Sequence, residues 1–132
     1  MAQSRQRERS ISEQTRQRHR QLADAVRRVV QHRYMEPLRL CEIASHLGVS
    51  PCFLCRVFRR ETGATIHGYL TSLRLSRALE LLAGHEGENL TSLGLDLGFA
   101  SHSHFTRAFR RQFGKPPSAF RGQLLSRFEQ DC

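Results

Sequence analysis

The sequence predicts an all-α protein of about seven helices, arranged as two helix-turn-helix subdomains joined by a long linker helix. Three observations support this. Apolar residues recur at the three- and four-residue spacing of amphipathic helices. No segment shows the strict alternation of a half-buried strand. One pattern occurs twice, and the 132-residue length fits about one domain.

The first 20 residues differ from the rest of the chain. They carry six arginines and two glutamates, a net charge of +4, with very few apolar residues. Such a composition is typical of a solvated segment that cannot bury a core. We therefore expect a basic, disordered N-terminal arm over residues 1–20.

Three helices are predicted in the first half of the body. Apolar residues from Leu22 follow a helical stripe that Pro37 ends. A short helix over about 40–47 has one apolar face. After a turn, Pro51 opens a helix that runs to about Glu61, because proline is tolerated in a first helical turn. Gly63 is suited to end it.

Four further helices are predicted after Gly63. The linker helix covers about 65–83 and ends at the glycines that follow. Asn89 is a good N-cap for a helix carrying Leu90, Leu93 and Leu97. After a turn, the next helix buries Phe105, Phe109 and Phe113, and Pro116-Pro117 opens a last short helix with Phe120. Residues 122–132 are expected to be a C-terminal tail.

The repeat consists of two patterns. The first reads IAxxLG at 43–48 and LGxxLG at 93–98; the second reads LxRxFRRxxG at 54–63 and FxRxFRRxxG at 105–114. A helix, a glycine-containing turn and a second helix with a cationic outer face are typical of a helix-turn-helix unit that places its second helix in the major groove. The sequence therefore predicts two such units, at about 40–63 and 89–114.

The linker helix also bears on DNA binding. At 1.5 Å per residue its ~19 residues span about 28 Å, comparable with the ~34 Å of one duplex turn. We therefore expect the two recognition helices to enter successive major grooves.

Charge and composition narrow the function. The net charge is +9, from 21 Lys and Arg against 12 Asp and Glu, which indicates a polyanionic partner, with nucleic acid ahead of a membrane surface. No window approaches the ~20 apolar residues of a spanning helix, and the N-terminus lacks the apolar region of a signal peptide. We expect a cytoplasmic, nucleoid-associated protein without a membrane partner.

Residues from about Leu22 to Arg121 resemble the DNA-binding domain of the AraC/XylS family of bacterial transcription regulators. The matching segments are LRLCEIASHLGVSPCFLCRVFRRETG, YLTSLRLSRALELL and LTSLGLDLGFASHSHFTRAFRRQFGKPPSAFR. The resemblance implies a sequence-specific transcription regulator, an activator, with double-stranded DNA and RNA polymerase as partners.

No sensing domain fits beside this one, so the chain is more similar to short members of the MarA/SoxS type or to an isolated DNA-binding half. We expect it to bind as a monomer to an asymmetric site. No catalytic constellation is present in the sequence, and neither enzyme activity nor a cofactor is expected. The alternative function is a basic helical module that binds an acidic protein surface.

In the first unit, the candidate DNA-binding residues share the outward face of the recognition helix: Cys52, Cys55, Arg56, Arg59 and Arg60. Arg56 is the candidate for base readout, because its guanidinium can pair with guanine O6 and N7. Arg59 and Arg60, near the helix end, are candidates for phosphate contacts. The alternatives are a phosphate contact for Arg56 and an ordinary solvated face for the other two.

In the second unit, the outward positions are candidates for the same contacts: His102, Ser103, Thr106, Arg107, Arg110 and Arg111. Arg107 repeats the role of Arg56, and Thr106 offers a methyl group to thymine. His104 has a weaker case and is expected to pack over the turn.

The cysteine pair Cys52 and Cys55 has zinc-like spacing, but a structural zinc site needs four ligands. No metal site is therefore predicted. A redox-responsive role remains as a second alternative, since Cys52 lies at a helix start and i, i+3 spacing brings two thiols near each other. The simpler interpretation is two small, inert residues in contact with DNA.

Two residues depart from the family pattern. Arg39 stands where a Ser or Thr cap is usual, so the helix after it is expected to fray. Gly94 replaces the small Ala of the repeat at a cost of ~1 kcal/mol in helix propensity. Either close packing against the second recognition helix explains Gly94, or the second unit is the softer one.

Overall fold

The computed structural model describes residues 2–84 and 90–119. These residues form six helices: α1 (Ala2–Arg33), α2 (Leu40–His46), α3 (Pro51–Thr62), α4 (Ile66–Gly84), α5 (Leu90–Asp96) and α6 (His102–Phe113). Residues 117–119 are also helical, and the described residues contain no strand. The all-α class and the two helix-turn-helix pairs, α2–α3 and α5–α6, are confirmed.

α1 differs from the prediction at its N-terminal end. It begins at Ala2 rather than near Leu22 and ends at Arg33, before Pro37. Residues from Ala2 to 20 are therefore helical instead of a disordered arm. Their Gln, Arg and Glu residues have high helix propensity, and extending an existing helix avoids the cost of a new nucleus. The composition correctly predicted that this segment is solvated, and residues 12–18 are indeed exposed. It did not predict that the segment is helical.

The fold divides into two compact units, and α4 contributes to both. The first unit contains α1, α2, α3 and the start of α4. Its buried apolar residues come from all four helices: Ala23, Val26, Val30, Ile43, Ala44, Leu54, Val57, Phe58 and Ile66. The Tyr69 ring packs edge-on against the Phe58 ring at 5.7 Å, and the Tyr69 hydroxyl accepts a hydrogen bond from Gln31 at 3.0 Å.

The second unit contains the segment Tyr34–Pro37, the rest of α4, α5 and α6. Its core is built from aliphatic side chains of α4 and α5 and from aromatic ones: Leu75, Ala78, Leu82, Leu93, Leu97, Phe99, Phe105 and Phe109. The rings of Phe99, Phe105 and Phe109 follow one another at centroid distances of 5.3 and 5.9 Å. The sequence predicts that Phe113 is buried, but it is only half-buried. Its ring packs on the Phe109 ring at a centroid distance of 4.6 Å.

Several predicted features lie outside the described residues. These are the Asn89 cap, Gly87, Phe120 with most of the last short helix, and the tail 122–132. Among the described helices, none alone is long and apolar enough to cross a membrane. α2 and α3 reach the required length and apolar composition only when taken together across a 91° bend.

Candidate DNA interface

The turns of the two units are built by the same backbone hydrogen bonds. In the first, the Leu47 N–H donates to the Ile43 carbonyl (3.1 Å) and the Val49 N–H to the Ala44 carbonyl (3.0 Å). The second turn has the same two bonds 50 residues later, at 3.1 and 3.0 Å. Each turn holds a glycine of positive φ, Gly48 at 72° and Gly98 at 100°, a conformation that costs other residues more. The sequence repeat is therefore a repeat of backbone geometry.

Both recognition helices are capped in the same way. The Ser50 hydroxyl accepts from the Phe53 N–H (3.2 Å), and the Ser101 hydroxyl accepts from the His104 N–H (3.0 Å). At the other end of each helix, a glycine N–H donates to an arginine carbonyl, with a length of 2.8 Å in both. Because both ends are satisfied, α3 and α6 are well-defined 12-residue helices.

The first helix of the first helix-turn-helix pair, α2, lacks such a cap. Arg39 occupies the N-cap position and makes no side-chain cap hydrogen bond. The Arg39 carbonyl instead accepts from the N–H groups of Glu42 and Ile43, at 3.1 and 3.2 Å. The absence of a side-chain cap agrees with the expectation from the sequence, although α2 forms over seven residues.

α3 presents the predicted residues on the side opposite its core. Leu54, Val57 and Phe58 are buried. The outward positions are exposed except for Cys55, which is half-buried: Cys52, Arg56, Arg59, Arg60 and Cys55. The first unit therefore has a helix face with three arginines and two thiols available to a ligand.

α6 presents a closely matching face. Phe105 and Phe109 are buried, and the outward positions are exposed except for half-buried Thr106: His102, Ser103, Arg107, Arg110, Arg111 and Thr106. The Thr106 hydroxyl lies 3.5 Å from His102 Nε2, which links the first two turns of the helix. His104 packs its ring against Phe99 at 5.5 Å, in line with the packing expected for it.

Gly94 explains how closely α5 and α6 pack. A Cβ atom built on Gly94 would lie 2.5 Å from Phe105 Cβ and 2.6 Å from Phe105 Cγ. Both distances are far below the ~3.5 to 4.0 Å of a normal carbon contact. Of the two explanations offered by the sequence, close packing against the second recognition helix is the one that the structure supports.

Arg74 is a residue that the sequence interpretation missed. Its side chain is only 6% exposed; Nε donates to the Tyr34 carbonyl (2.6 Å) and NH2 to the Glu36 carbonyl (3.0 Å). The guanidinium also lies 5.7 Å above the Phe99 ring. Burial lowers the pKa of Arg74. Arg74 thus links the segment before α2 to the turn between α5 and α6, both within the second unit. No sequence pattern distinguishes Arg74 from the exposed arginines.

The packing of α1 along α3 was also not predicted. The His19 ring meets the Phe53 ring edge-on at 5.8 Å, in the first turn of the recognition helix. Arg20, Asp24 and Arg27 share a shallow surface depression with Glu61, near the other end of α3. The helical stripe from Leu22 predicted that one face of this helix is buried, but not which helix it contacts.

Neither a metal centre nor a disulfide is found in the described part of the chain. Cys41, Cys52 and Cys55 are free thiols. No group of three or more His, Cys, Asp or Glu residues among those described is placed to hold a metal ion. The depression beside Glu61 is lined by both charge signs.

Two helix-turn-helix units in one chain, each with exposed arginines at equivalent positions of its second helix, define a double helix-turn-helix protein. The family profile described as a helix-turn-helix domain matches residues 43–123. The chain belongs to the AraC/XylS family of DNA-binding transcription regulators.

Named relatives and a solved structure support this assignment. The regulatory protein SoxS of Escherichia coli K12 is 36% identical over 89 residues, which is 67% of this chain and 82% of SoxS. The transcriptional activator RhaS of Escherichia fergusonii is 38% identical over 79 residues, 60% of this chain and 28% of RhaS. The DNA-binding domain of AdpA, solved with a target DNA, matches with a TM-score of 0.73 and 28% identity, covering 83% of this chain and 96% of that domain.

The relatives differ in length. The chain spans 35%, 29% and 26% of three regulators that it matches, compared with 82% of SoxS. What those longer proteins have in common with this chain is therefore the region of the two helix-turn-helix units.

Proposed function

We propose that this protein binds double-stranded DNA in a sequence-specific way and activates transcription, with α3 and α6 inserted into successive major grooves. The observation that carries the proposal is the duplicated arginine face. Arg56, Arg59 and Arg60 recur as Arg107, Arg110 and Arg111, all exposed on helices with the same caps. A common target for both units gives a reason for this recurrence.

Each unit divides its contacts between bases and phosphates. Arg56 and Arg107, at the middle of their helices, are assigned to base edges, where a bidentate contact with guanine discriminates by ~1 to 3 kcal/mol. The arginines of the last turn, Arg59, Arg60, Arg110 and Arg111, are assigned to phosphates, which position the helix without reading sequence. His102, Ser103, Thr106, Cys52 and Cys55 complete the two groove-facing surfaces.

The site on DNA is expected to be asymmetric and bound by one copy of the chain. Both units lie in a single chain, and their outward residues differ, with Cys52 and Cys55 in one and Ser103 and Thr106 in the other. One box for each unit follows from this. α4, with 19 residues, is about 28 Å long, and this length supports boxes about one turn apart.

Activation through RNA polymerase, in the cytoplasm, is the proposed outcome of binding. The relative RhaS is a transcriptional activator, which supports activation over repression. The basic protein-interaction module is disfavoured, because an acidic protein surface gives no reason for two equivalent arginine rows.

Selection of bound sequences from a random duplex pool tests the proposal. We expect a two-box, non-palindromic consensus and a steep salt dependence of affinity, because each phosphate contact contributes about 0.9 to the slope of log K against log salt concentration. Recovery of no consensus, together with an affinity that does not change with salt, would contradict DNA binding. A palindromic consensus bound only by dimers would contradict the monomeric arrangement.

A further inference from the structure

The N-terminal half of α1 is not explained by the two helix-turn-helix units. Residues 1–20 precede the region that the family profile matches, residues 43–123, and carry six arginines against two glutamates. In the part whose side chains are described, Arg16, Arg18 and Arg20 are all exposed.

Within the first unit, α1 is fixed relative to the recognition helix. His19 contacts Phe53 at the start of α3, and the following residues of α1 lie beside Glu61 near its end. His19 therefore marks the point at which α1 contacts the N-terminal end of α3. The 17 helical residues before His19 extend α1 by about 26 Å from this point.

That end of α3 is the one that meets DNA in a helix-turn-helix unit, where the first residues of the recognition helix contact base edges. The cationic segment of α1 adjoins that end, at the contact of His19 with Phe53. Duplex DNA carries one negative charge per ~1.7 Å of its axis, so phosphates are available along the whole extension.

We propose that the N-terminal half of α1 is a third DNA-binding element, in which the exposed Arg16, Arg18 and Arg20 contact the phosphate backbone beside the box bound by α3. This rests on the proposed function. The element adds affinity without sequence preference, because guanidinium contacts to phosphate carry no base information. The sequence supplies three more arginines, Arg5, Arg7 and Arg9, further along the same segment.

The test uses the full chain and a triple variant, Arg16→Gln, Arg18→Gln and Arg20→Gln. Glutamine keeps high helix propensity, so loss of charge is separated from loss of helix, which circular dichroism checks. A matched control, Arg28→Gln, Arg33→Gln and Arg77→Gln, removes the same charge elsewhere. A triple Arg→Lys variant at 16, 18 and 20 retains the charge.

Affinity is measured on the selected two-box duplex at 50 and 200 mM salt. Removing one phosphate contact lowers the salt slope by about 0.9. Arg16 and Arg20 share a helix face, whereas Arg18 does not. With two to three phosphate contacts, the affinity advantage of the wild type over the Gln variant should therefore shrink by about 12- to 40-fold between the two salt concentrations. The Lys variant should stay within a few-fold of the wild type, and the control should change the slope little.

A second duplex, trimmed at the outer edge of the α3 box, gives the position of the contact. On this trimmed duplex, the wild type should bind only slightly more tightly than the Gln variant. Equal slopes for the wild type and the Gln variant, or equal losses for the Gln variant and the control, would overturn the third element while leaving the proposed function intact. Failure of the wild type to prefer the selected duplex over a scrambled one would instead overturn the proposed function.

Discussion

The contact between Gly94 and Phe105 gives a sharp prediction about stability. Gly94→Ala places a methyl carbon 2.5 Å from Phe105 Cβ and 2.8 Å from Cδ1. Because Cβ is fixed to the backbone, the backbone at residue 105 must move with the side chain by roughly 1 Å to restore a normal carbon contact. Phe105 is fully buried and packs against Phe99 and Phe109, so it has little room to move.

Two opposing effects decide the sign. Replacing glycine by alanine inside a helix gains ~1 kcal/mol of propensity, whereas overpacking a well-packed core costs typically ~1 to 3 kcal/mol. We expect Gly94→Ala to lower the free energy of unfolding by up to about 2 kcal/mol, because the clash involves Cβ, Cγ and Cδ1 of a fully buried side chain. Helix propensity alone predicts stabilisation instead.

The first unit indicates how to relieve the clash. At the equivalent positions it has Ala44 and Leu54, both buried, in place of Gly94 and Phe105. Phe105→Leu alone should destabilise by leaving a void. Leucine keeps Cβ and Cγ, but the void gives residue 105 and its backbone room to shift, so Gly94→Ala should cost less in that background. We expect a favourable coupling of about 1 kcal/mol or more between the two substitutions, within the range seen for residues in contact.

Urea unfolding of the wild type, both single variants and the double variant, followed by far-UV circular dichroism, measures this cycle. Ala44→Gly is the matched control: lacking any clash to relieve, it should destabilise by about 1 kcal/mol through helix propensity. Additivity of the two second-unit substitutions within ~0.5 kcal/mol, or stabilisation by Gly94→Ala alone, would refute the packing argument.

Three further predictions concern Arg74, Ser101 and the cysteine pair. Arg74→Ala should lower the free energy of unfolding by about 2 to 4 kcal/mol in urea denaturation, since it leaves two carbonyls without their charged donor; an effect below ~0.5 kcal/mol would contradict the role of Arg74. Ser101→Ala should cost about 1 kcal/mol by removing the α6 cap and weaken DNA binding, and unchanged thermal stability would argue against that cap. If Cys52 and Cys55 are the redox-responsive pair, mild peroxide treatment should lower the DNA affinity of the wild type, reversibly with a thiol reductant, but not that of the Cys52→Ser, Cys55→Ser protein; equal affinities under all conditions would leave both thiols as inert contacts.

Most of the fold is predictable because it depends on periodic burial. Leu54, Val57 and Phe58 in α3, and Phe105 and Phe109 in α6, are buried as the helical spacing predicts. The turns follow from their glycines, whose positive φ is costly for other residues.

Two features of α4 escaped prediction for physical reasons. The helix contributes to both units, so no single apolar stripe covers it, although Leu75 is buried in the core of the second unit. Arg74 is buried because backbone carbonyls of a distant segment satisfy it. Such long-range partners leave no local pattern in sequence.

The residues of the candidate DNA interface were more predictable than the helix that packs behind α3. The outward residues of both recognition helices were named from spacing alone and are found exposed or half-buried on α3 and α6. The helical state of the residues before Leu22 could not be predicted, because a solvated helix and a disordered arm share the same polar composition.

The most direct test of the central claim is the affinity of Arg56→Ala and Arg107→Ala proteins for duplexes in which one selected box at a time is scrambled. Each substitution should relax discrimination at one box only, by ~1 to 3 kcal/mol, with the two proteins affected at opposite boxes. Arg60→Ala should weaken binding to all the duplexes alike. If Arg56→Ala and Arg107→Ala reduce binding to specific and random DNA by the same factor, the two helices do not read bases and the account is contradicted.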